Sequence, residues 1–200
     1  MVYIFVRIAL CAVILVTAFV LIRYFRPKDT RGCYILSGIV AFLVVALAQV
    51  FPPENLFVSF PSAEASYRYS STGEVVKVVE GENSALVYGK NRDKNELLII
   101  REGKNGWKGA RLYSTWPAKR AIDRDTSVTV YHCRNTNDYY VKIIFYSSNT
   151  IGPFEILDNR DSQFQHIKTE NGCAEYCAYV KGLDDTYTLT INGEVVEFNQ

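Results

Sequence analysis

Three cysteines and two histidines are the side chains best suited to chemistry in this 200-residue chain. They are Cys133, Cys173, Cys177, His132 and His166. The Cys-x3-Cys spacing of the second and third cysteines falls within the range that zinc sites use. His132 and Cys133, however, are neighbours in a strand-like segment, so their side chains would point to opposite faces. We therefore predict no metal site and no bound cofactor.

The same cysteines could form a disulfide in an oxidising compartment, with one thiol left over. Cys173 and Cys177 would lie roughly 13 Å apart along a regular strand, which is too far for a direct bond. A turn at Asn171-Gly172 would change that distance. We predict a disulfide from Cys133 to either Cys173 or Cys177. Three unpaired, buried cysteines are the alternative that the sequence leaves open.

Catalytic motifs are absent from the sequence. A hydrolase needs a nucleophile with a base in reach, and the chain contains no G-x-S-x-G, no H-E-x-x-H and no glycine-rich phosphate loop. The acidic stretch 158–161 offers oxygen ligands of the kind that calcium prefers, but acidic turns are common. We predict no catalytic residue, so an enzymatic activity is uncertain and not favoured. The net charge of +1 predicts no nucleic-acid partner.

Two apolar runs, 3–22 and 33–51, stand before all of these residues. Each is about long enough to cross the roughly 30 Å hydrocarbon core of a bilayer as a helix. We therefore predict a two-helix transmembrane hairpin, with the lipid bilayer as a partner. The connecting loop 23–32 is basic, and short basic loops stay in the cytoplasm. The residues that set this topology are Arg23, Arg26, Lys28 and Arg31.

Three residues within the apolar runs could make helix contacts. Arg7 would lie near the outer surface, where it could either extend to the headgroups or contact a partner subunit. Ser37 and Ala41 form one small-xxx-small step, which allows helices to approach closely. An A-x-A pattern ending at Ala48 leaves a further possibility, cleavage of the second run as a signal sequence. Either way, the orientation predicts a multi-pass cell-membrane protein with its C-terminal domain outside.

The remainder of the chain has the pattern of an antiparallel β protein. A linker, 52–65, leads into segments with period-two alternation and turn punctuation. Asn192-Gly193 between two β-prone runs predicts a two-residue hairpin turn. We predict an all-β extracytoplasmic domain over 66–200, a sandwich or barrel-like stack, built either as one unit or as two packed halves that meet near 147–153. The predicted strands are 66–70, 74–80, 85–89, 96–101, 107–113, 127–134, 139–146, 154–157, 176–181, 186–191 and 194–198.

These features favour one functional class and leave two others open. The prediction is a membrane-anchored extracytoplasmic binding, sensing or accessory module that acts through a protein or envelope partner. One alternative is a cell-envelope enzyme of the hydrolase type, which would need a pocket joining a histidine to an acid and a nucleophile. The other is a small subunit of a larger membrane complex. An exposed apolar strand edge would favour the binding module.

Overall fold

The computed structural model describes residues 2–25, 31–50, 55, 57–92, 94–109, 117–123, 125–146 and 154–198. The described helices are α1 (Val2–Phe25), α2 (Arg31–Val50) and α3 (Ala63–Ser70). The described strands are β1 (Glu74–Glu80), β2 (Ser84–Asn91), β3 (Lys94–Gly103), β4 (Gly106–Trp107), β5 (Pro117–Ile122), β6 (Thr126–His132), β7 (Asp138–Phe145), β8 (Ile156–Asp158), β9 (Gln165–Glu170), β10 (Cys173–Lys181), β11 (Leu189–Ile191) and β12 (Glu194–Val195).

The helices α1 and α2 lie against each other. The Phe19 ring stacks on the Tyr34 ring, with their centroids 5.6 Å apart. Ala41 is buried, in keeping with the close approach that a small side chain allows. The Ser37 hydroxyl donates to the Cys33 carbonyl at 2.8 Å, so its hydrogen bond is made within its own helix. The side chain of Arg7 lies outside the described residues.

In the described part of the chain, no helix combines the length and the apolarity that a membrane crossing requires. This finding contradicts the predicted transmembrane hairpin. It also contradicts the predicted multi-pass cell-membrane localisation with the C-terminal domain outside.

The cytoplasmic position predicted for the basic loop 23–32 depended on that hairpin, so it loses its basis together with the hairpin. Arg23 is exposed in the last turn of α1, and Arg31 is the first residue of α2. Arg26 and Lys28 lie outside the described residues. The structure therefore places Arg23 and Arg31 at helix ends and assigns them no membrane orientation.

Three antiparallel sheets follow α3 in the described chain, so the predicted antiparallel β domain is confirmed. The first sheet has the strand order β1-β2-β3-β4, the second β5-β6-β7-β10-β9, and the third β12-β11-β8. The predicted hairpin turn is present between β11 and β12, where Asn192 and Gly193 have φ of 50° and 85°. The predicted junction at 147–153 lies outside the described residues.

Three apolar clusters show how these elements stack. One joins α3 to one face of the first sheet, through Ala63, Tyr67 and Val87. A second joins the opposite face of the first sheet to the second sheet. The third cluster joins the other face of the second sheet to the third sheet, through residues such as Val141 and Leu189. The order of layers is therefore α3, first sheet, second sheet, third sheet.

Three predicted element assignments need correction. Residues 66–70 belong to α3 and not to a strand, because the Ser62 hydroxyl caps the helix by accepting from the Ala65 N–H at 3.1 Å. Residues 117–122, which were not among the predicted strands, form β5 because they pair along the edge of β6. The segment 165–170 forms β9 against β10, although its sequence shows little alternation.

Candidate functional site

The structure separates the cysteines that were predicted to pair. All five cysteines are free. Cys133 and Cys177 share one core cluster, but the register puts Cys177 level with Thr129 on β6, four residues from Cys133. That offset is roughly 13 Å along the strands and about 10 Å across them, beyond the reach of a disulfide. Cys173 lies still further along β10. The predicted disulfide is not formed in this structure.

The two histidines occupy separate places on the second sheet. His132 Nε2 lies 2.9 Å from the Thr136 carbonyl oxygen, and its ring stacks on Tyr139 at 4.3 Å. His166 Nε2 lies 2.9 Å from the Thr169 hydroxyl. Among the described residues, no carboxylate bonds to either ring. The structure therefore does not bring these histidines together with the acid and nucleophile that the enzyme alternative requires.

The acidic stretch 158–161 was considered as a calcium site. In the structure, its first residue, Asp158, stabilises the loop that follows β8. The Asp158 carboxylate accepts from the backbone N–H groups of Arg160 at 3.1 Å and Ser162 at 2.8 Å. It also accepts from the Tyr187 hydroxyl at 3.1 Å. Burial raises the pKa of Tyr187, and the nearby Asp158 charge raises it further. Within the described ranges, no three metal-ligating side chains are grouped around a common point.

A buried polar network joins the first and second sheets at one end of their interface. The fully buried Asp138 carboxylate accepts from the Asn83 backbone N–H at 2.8 Å and the Ser84 hydroxyl at 2.7 Å. The Tyr179 hydroxyl donates to the same carboxylate at 3.2 Å. The Ser84 and Tyr140 hydroxyls lie 2.8 Å apart. The network supplies partners to the Asp138 carboxylate and to the Ser84 and Tyr140 hydroxyls, so it links the two sheets at this end of their interface.

A chain of ion pairs lies at the other end of the same interface. Lys142 Nζ is 2.7 Å from Glu175 Oε2, and Lys168 Nζ is 3.3 Å from Glu175 Oε1. Lys168 also contacts Glu170 at 3.1 Å, and Glu170 contacts the exposed Lys90 of the first sheet at 2.8 Å. The chain runs from the interior to the surface, and it leaves Glu175 held between two ammonium groups. These ion pairs hold the charged side chains of Lys142, Lys168 and Glu175 in fixed positions.

The nucleophilic groups beside these ion pairs are protonated at neutral pH. Burial raises the pKa of the Cys177 thiol to about 12. Burial also raises the pKa of Tyr88 well above its ordinary value, and the neighbouring Cys177 adds to this rise. Lys142 Nζ stands 5.4 Å from the centre of the Tyr88 ring. Because the thiolate is the nucleophile of cysteine chemistry, these buried groups favour a packing role.

The third sheet has one face in the core and one face in solvent. Leu157, Thr190 and Val195 are aligned by register on the same face. Leu157 is 57% exposed and Val195 65% exposed, while the residues on either side of Thr190, Leu189 and Ile191, are buried. Two large apolar side chains therefore flank a threonine on the outer face. We name Leu157, Thr190 and Val195 the outer patch.

The edges of the two larger sheets are irregular. The pairing of β1 shifts between Val75 and Lys77, and that of β5 shifts between Pro117 and Lys119. The pairing of β9 with β10 shifts at Glu175. Bulges and prolines at edges hinder pairing with another chain. The register of β8 with β11, by contrast, is continuous, so β8 presents a regular edge.

The sequence predicts the strands that carry the outer patch, but it does not predict the patch itself. Residues 154–157 and 194–198 were predicted as strands, and they overlap β8 and β12 by two residues each. Alternation within FEILD shows that Leu157 faces away from Ile156. Which of those two faces is solvent-exposed depends on how the third sheet stacks on the second. Two sequence features pointed to an exposed patch here: this alternation and the acidic residues on either side of it.

Comparisons with known proteins give no relative for this fold and site. No protein-family model, no curated protein and no solved structure matches the chain. The class of protein is therefore defined by its own architecture, a stack of three antiparallel sheets with one helix covering the first. Any function must be argued from the residues themselves.

Proposed function

We propose that this protein is a binding module that acts by docking a protein partner on the outer patch. The observation that carries the proposal is the exposure of Leu157 and Val195 in register across Thr190. Aligned apolar side chains on a rigid sheet offer a partner a fixed surface whose burial would favour association. The sheet behind the patch is anchored in the core by Leu189 and Ile191.

The surroundings of the histidines and the buried thiol support binding over catalysis. His132 contacts a backbone carbonyl and a tyrosine ring, and Cys177 is a buried neutral thiol. Glu175 is engaged by two lysines. These groups contribute to the fold through bonds that a reaction would have to break. The enzyme alternative has no observation of its own in its favour and stays a prediction.

Site-specific photo-crosslinking in the native host tests this proposal. A photoreactive amino acid replaces Leu157 or Val195 in the full chain, and matched control chains carry it at Ile122 or Val76, which are also exposed apolar positions. We expect one discrete adduct from both patch positions and none from the controls. Thr190→Lys, placed between the two patch residues, should reduce the adduct about tenfold, since a lysine must be desolvated at the contact.

Circular dichroism of the Thr190→Lys chain provides the folding control, because the substituted side chain lies on the outer face. Equal adduct yields from the patch and from the control positions would show non-specific contact and refute the proposal. No adduct from either patch position would refute it as well.

A further inference from the structure

We propose that the partner contributes an extended basic segment, which adds as a fourth strand to the edge of β8 that faces away from β11. This inference rests on the proposed function and names the chemistry of the partner. Strand addition to a sheet edge supplies main-chain hydrogen bonds, and alternate side chains supply specificity. Three observations carry it: the direction of the β8 backbone groups, the order of side chains along β8, and the charge around the third sheet.

The hydrogen bonds of β8 show which of its backbone groups face outward. Asn192 N–H donates to the Glu155 carbonyl at 2.8 Å, and Asn159 N–H donates to the Thr188 carbonyl at 3.2 Å. Bonded and non-bonded pairs alternate in an antiparallel ladder. The N–H and C=O groups of Ile156 and Asp158 therefore point away from β11. In the described chain, no strand pairs with β8 on that side.

The side chains along β8 set the sequence that an added strand would need. Glu155 and Leu157 are both exposed and lie on the outer face, two residues apart. An incoming strand would place its own alternate side chains beside them. A lysine or arginine beside Glu155 and an apolar residue beside Leu157 would complement this order.

The charge around the third sheet favours the same partner. The acidic residues of segments 154–164 and 182–198 greatly outnumber the basic ones, although the whole chain has a net charge of +1. Arg160 pairs with Asp184 at 2.8 Å and Lys119 of β5 pairs with Asp185 at 3.3 Å, and the other five carboxylates of these two segments keep them acidic. Such a potential attracts basic segments and repels acidic ones. The acidic residues are Glu155, Asp158, Asp161, Asp184, Asp185, Glu194 and Glu197.

A second copy of this chain is a less suitable occupant. Pairing of β8 with β8 would bring two acidic surfaces together, and like charges that face each other across strands are destabilising. The bulged edges of β1, β5 and β9 also offer a poor strand for addition. A basic segment of a different protein avoids both difficulties.

Nuclear magnetic resonance titration of the ¹⁵N-labelled full chain tests this inference. The probes are two synthetic heptapeptides that alternate valine with threonine, one with lysine at both ends and one with glutamate at both ends. We expect the lysine peptide to shift the amide signals of Ile156 and Asp158. It should bind about tenfold more tightly than the glutamate peptide, and less tightly at high salt.

Two variants and one modified peptide provide matched controls. Glu155→Gln should weaken binding of the lysine peptide about threefold, the size expected for an exposed ion pair. Glu102→Gln, which alters an exposed carboxylate of the first sheet, should leave the affinity unchanged. N-methylation of alternate residues in the lysine peptide should abolish the shifts, because it removes the donors for the β8 edge.

The outcomes separate this inference from the proposed function. If both peptides shift the β8 amides with equal affinity, the basic character of the partner is refuted while docking on the patch stands. If neither peptide shifts them but crosslinks from Leu157 persist, strand addition is refuted and the face contact stands. A dimer formed through β8 in the absence of peptide would identify a second copy as the occupant and overturn the inference.

Discussion

Two carboxylates, Asp138 and Glu96, fasten elements that are distant in the sequence. Asp138 joins the turn before β2 to β7 and β10. Glu96 of β3 accepts from the Tyr67 hydroxyl at 2.8 Å and from the Asn91 amide at 2.9 Å, and it also accepts from the Ser71 hydroxyl. Both residues lack any motif in the sequence, because their roles depend on donors supplied by other elements.

Removal of the Asp138 carboxylate should destabilise the fold. Asp138→Ala leaves the Asn83 N–H and the Ser84 hydroxyl without their buried acceptor, and each such group costs about 1–3 kcal/mol. We expect the free energy of unfolding, measured by urea titration, to fall by about 3 kcal/mol. Asp185→Ala is the matched control, since that side chain is fully exposed, and it should change stability by less than about 0.5 kcal/mol. Equal losses in both variants would contradict the assigned role.

The pKa of Glu96 makes stability depend on pH. Burial by itself would raise the pKa of this carboxyl, but hydrogen bonds from Ser71, Asn91 and Tyr67 outweigh burial and lower it below 4.5. The unfolded state therefore binds the proton more readily, and stability rises with pH through this range. The contribution of Glu96 is present above about pH 4.5 and is lost as the pH falls through the lower, folded-state pKa.

Urea titrations of the native chain and of Glu96→Gln between acidic and neutral pH would measure this contribution. We expect the native chain to be the more stable of the two at neutral pH and the difference to shrink on acidification. Glu102→Gln should show no such trend. A stability difference for Glu96→Gln that is independent of pH would refute the assignment.

At the scale of elements, α3 depends on a close approach between a helix and a strand. A Cβ atom added at Gly89 of β2 would lie 1.8 Å from the hydroxyl oxygen of Tyr67 and 2.3 Å from its ring carbon Cζ. Tyr67 is fully buried and lies in the cluster between α3 and the first sheet. Glycine is therefore required at this position by packing, and not by its backbone conformation.

Gly89→Ala should displace α3 and lower the free energy of unfolding by about 3 kcal/mol, as overpacking of a core does. Gly38→Ala is the matched control, because an added Cβ in α2 meets nothing within 4 Å. Calorimetry of both variants checks the difference. In the double variant Tyr67→Ala/Gly89→Ala, the two losses should be less than additive. Full additivity would show that the two residues act independently.

Element prediction succeeded where the local pattern agreed with the tertiary contacts. The apolar runs predicted helices, and α1 and α2 nearly coincide with them. The hairpin at Asn192 formed because both turn positions need positive φ. Strand β5 was missed because its six residues contain Pro117 and little alternation. Its pairing with β6 is a tertiary contact, and the β-propensity of its own residues does not predict that contact.

At the scale of the molecule, the stack of three sheets decides which strand faces are interior. The second sheet is covered on both sides, whereas the third sheet is covered on one side and exposes Leu157 and Val195. The segments 154–164 and 182–198, which contain the three strands of this sheet, carry an excess of acidic residues. The proposed docking surface is therefore a property of the assembly of sheets rather than of any single segment.

The sequence by itself determined the antiparallel β class, the helical runs and the turn at Asn192-Gly193, because hydrophobic periodicity and backbone preferences act within a few residues. Only the tertiary structure decided the separation of Cys133 from Cys177 and the burial of Asp138. It also decided the outward position of Leu157. These features depend on strand register and on layer order, which arise from contacts between residues far apart along the chain, and local patterns do not encode such contacts.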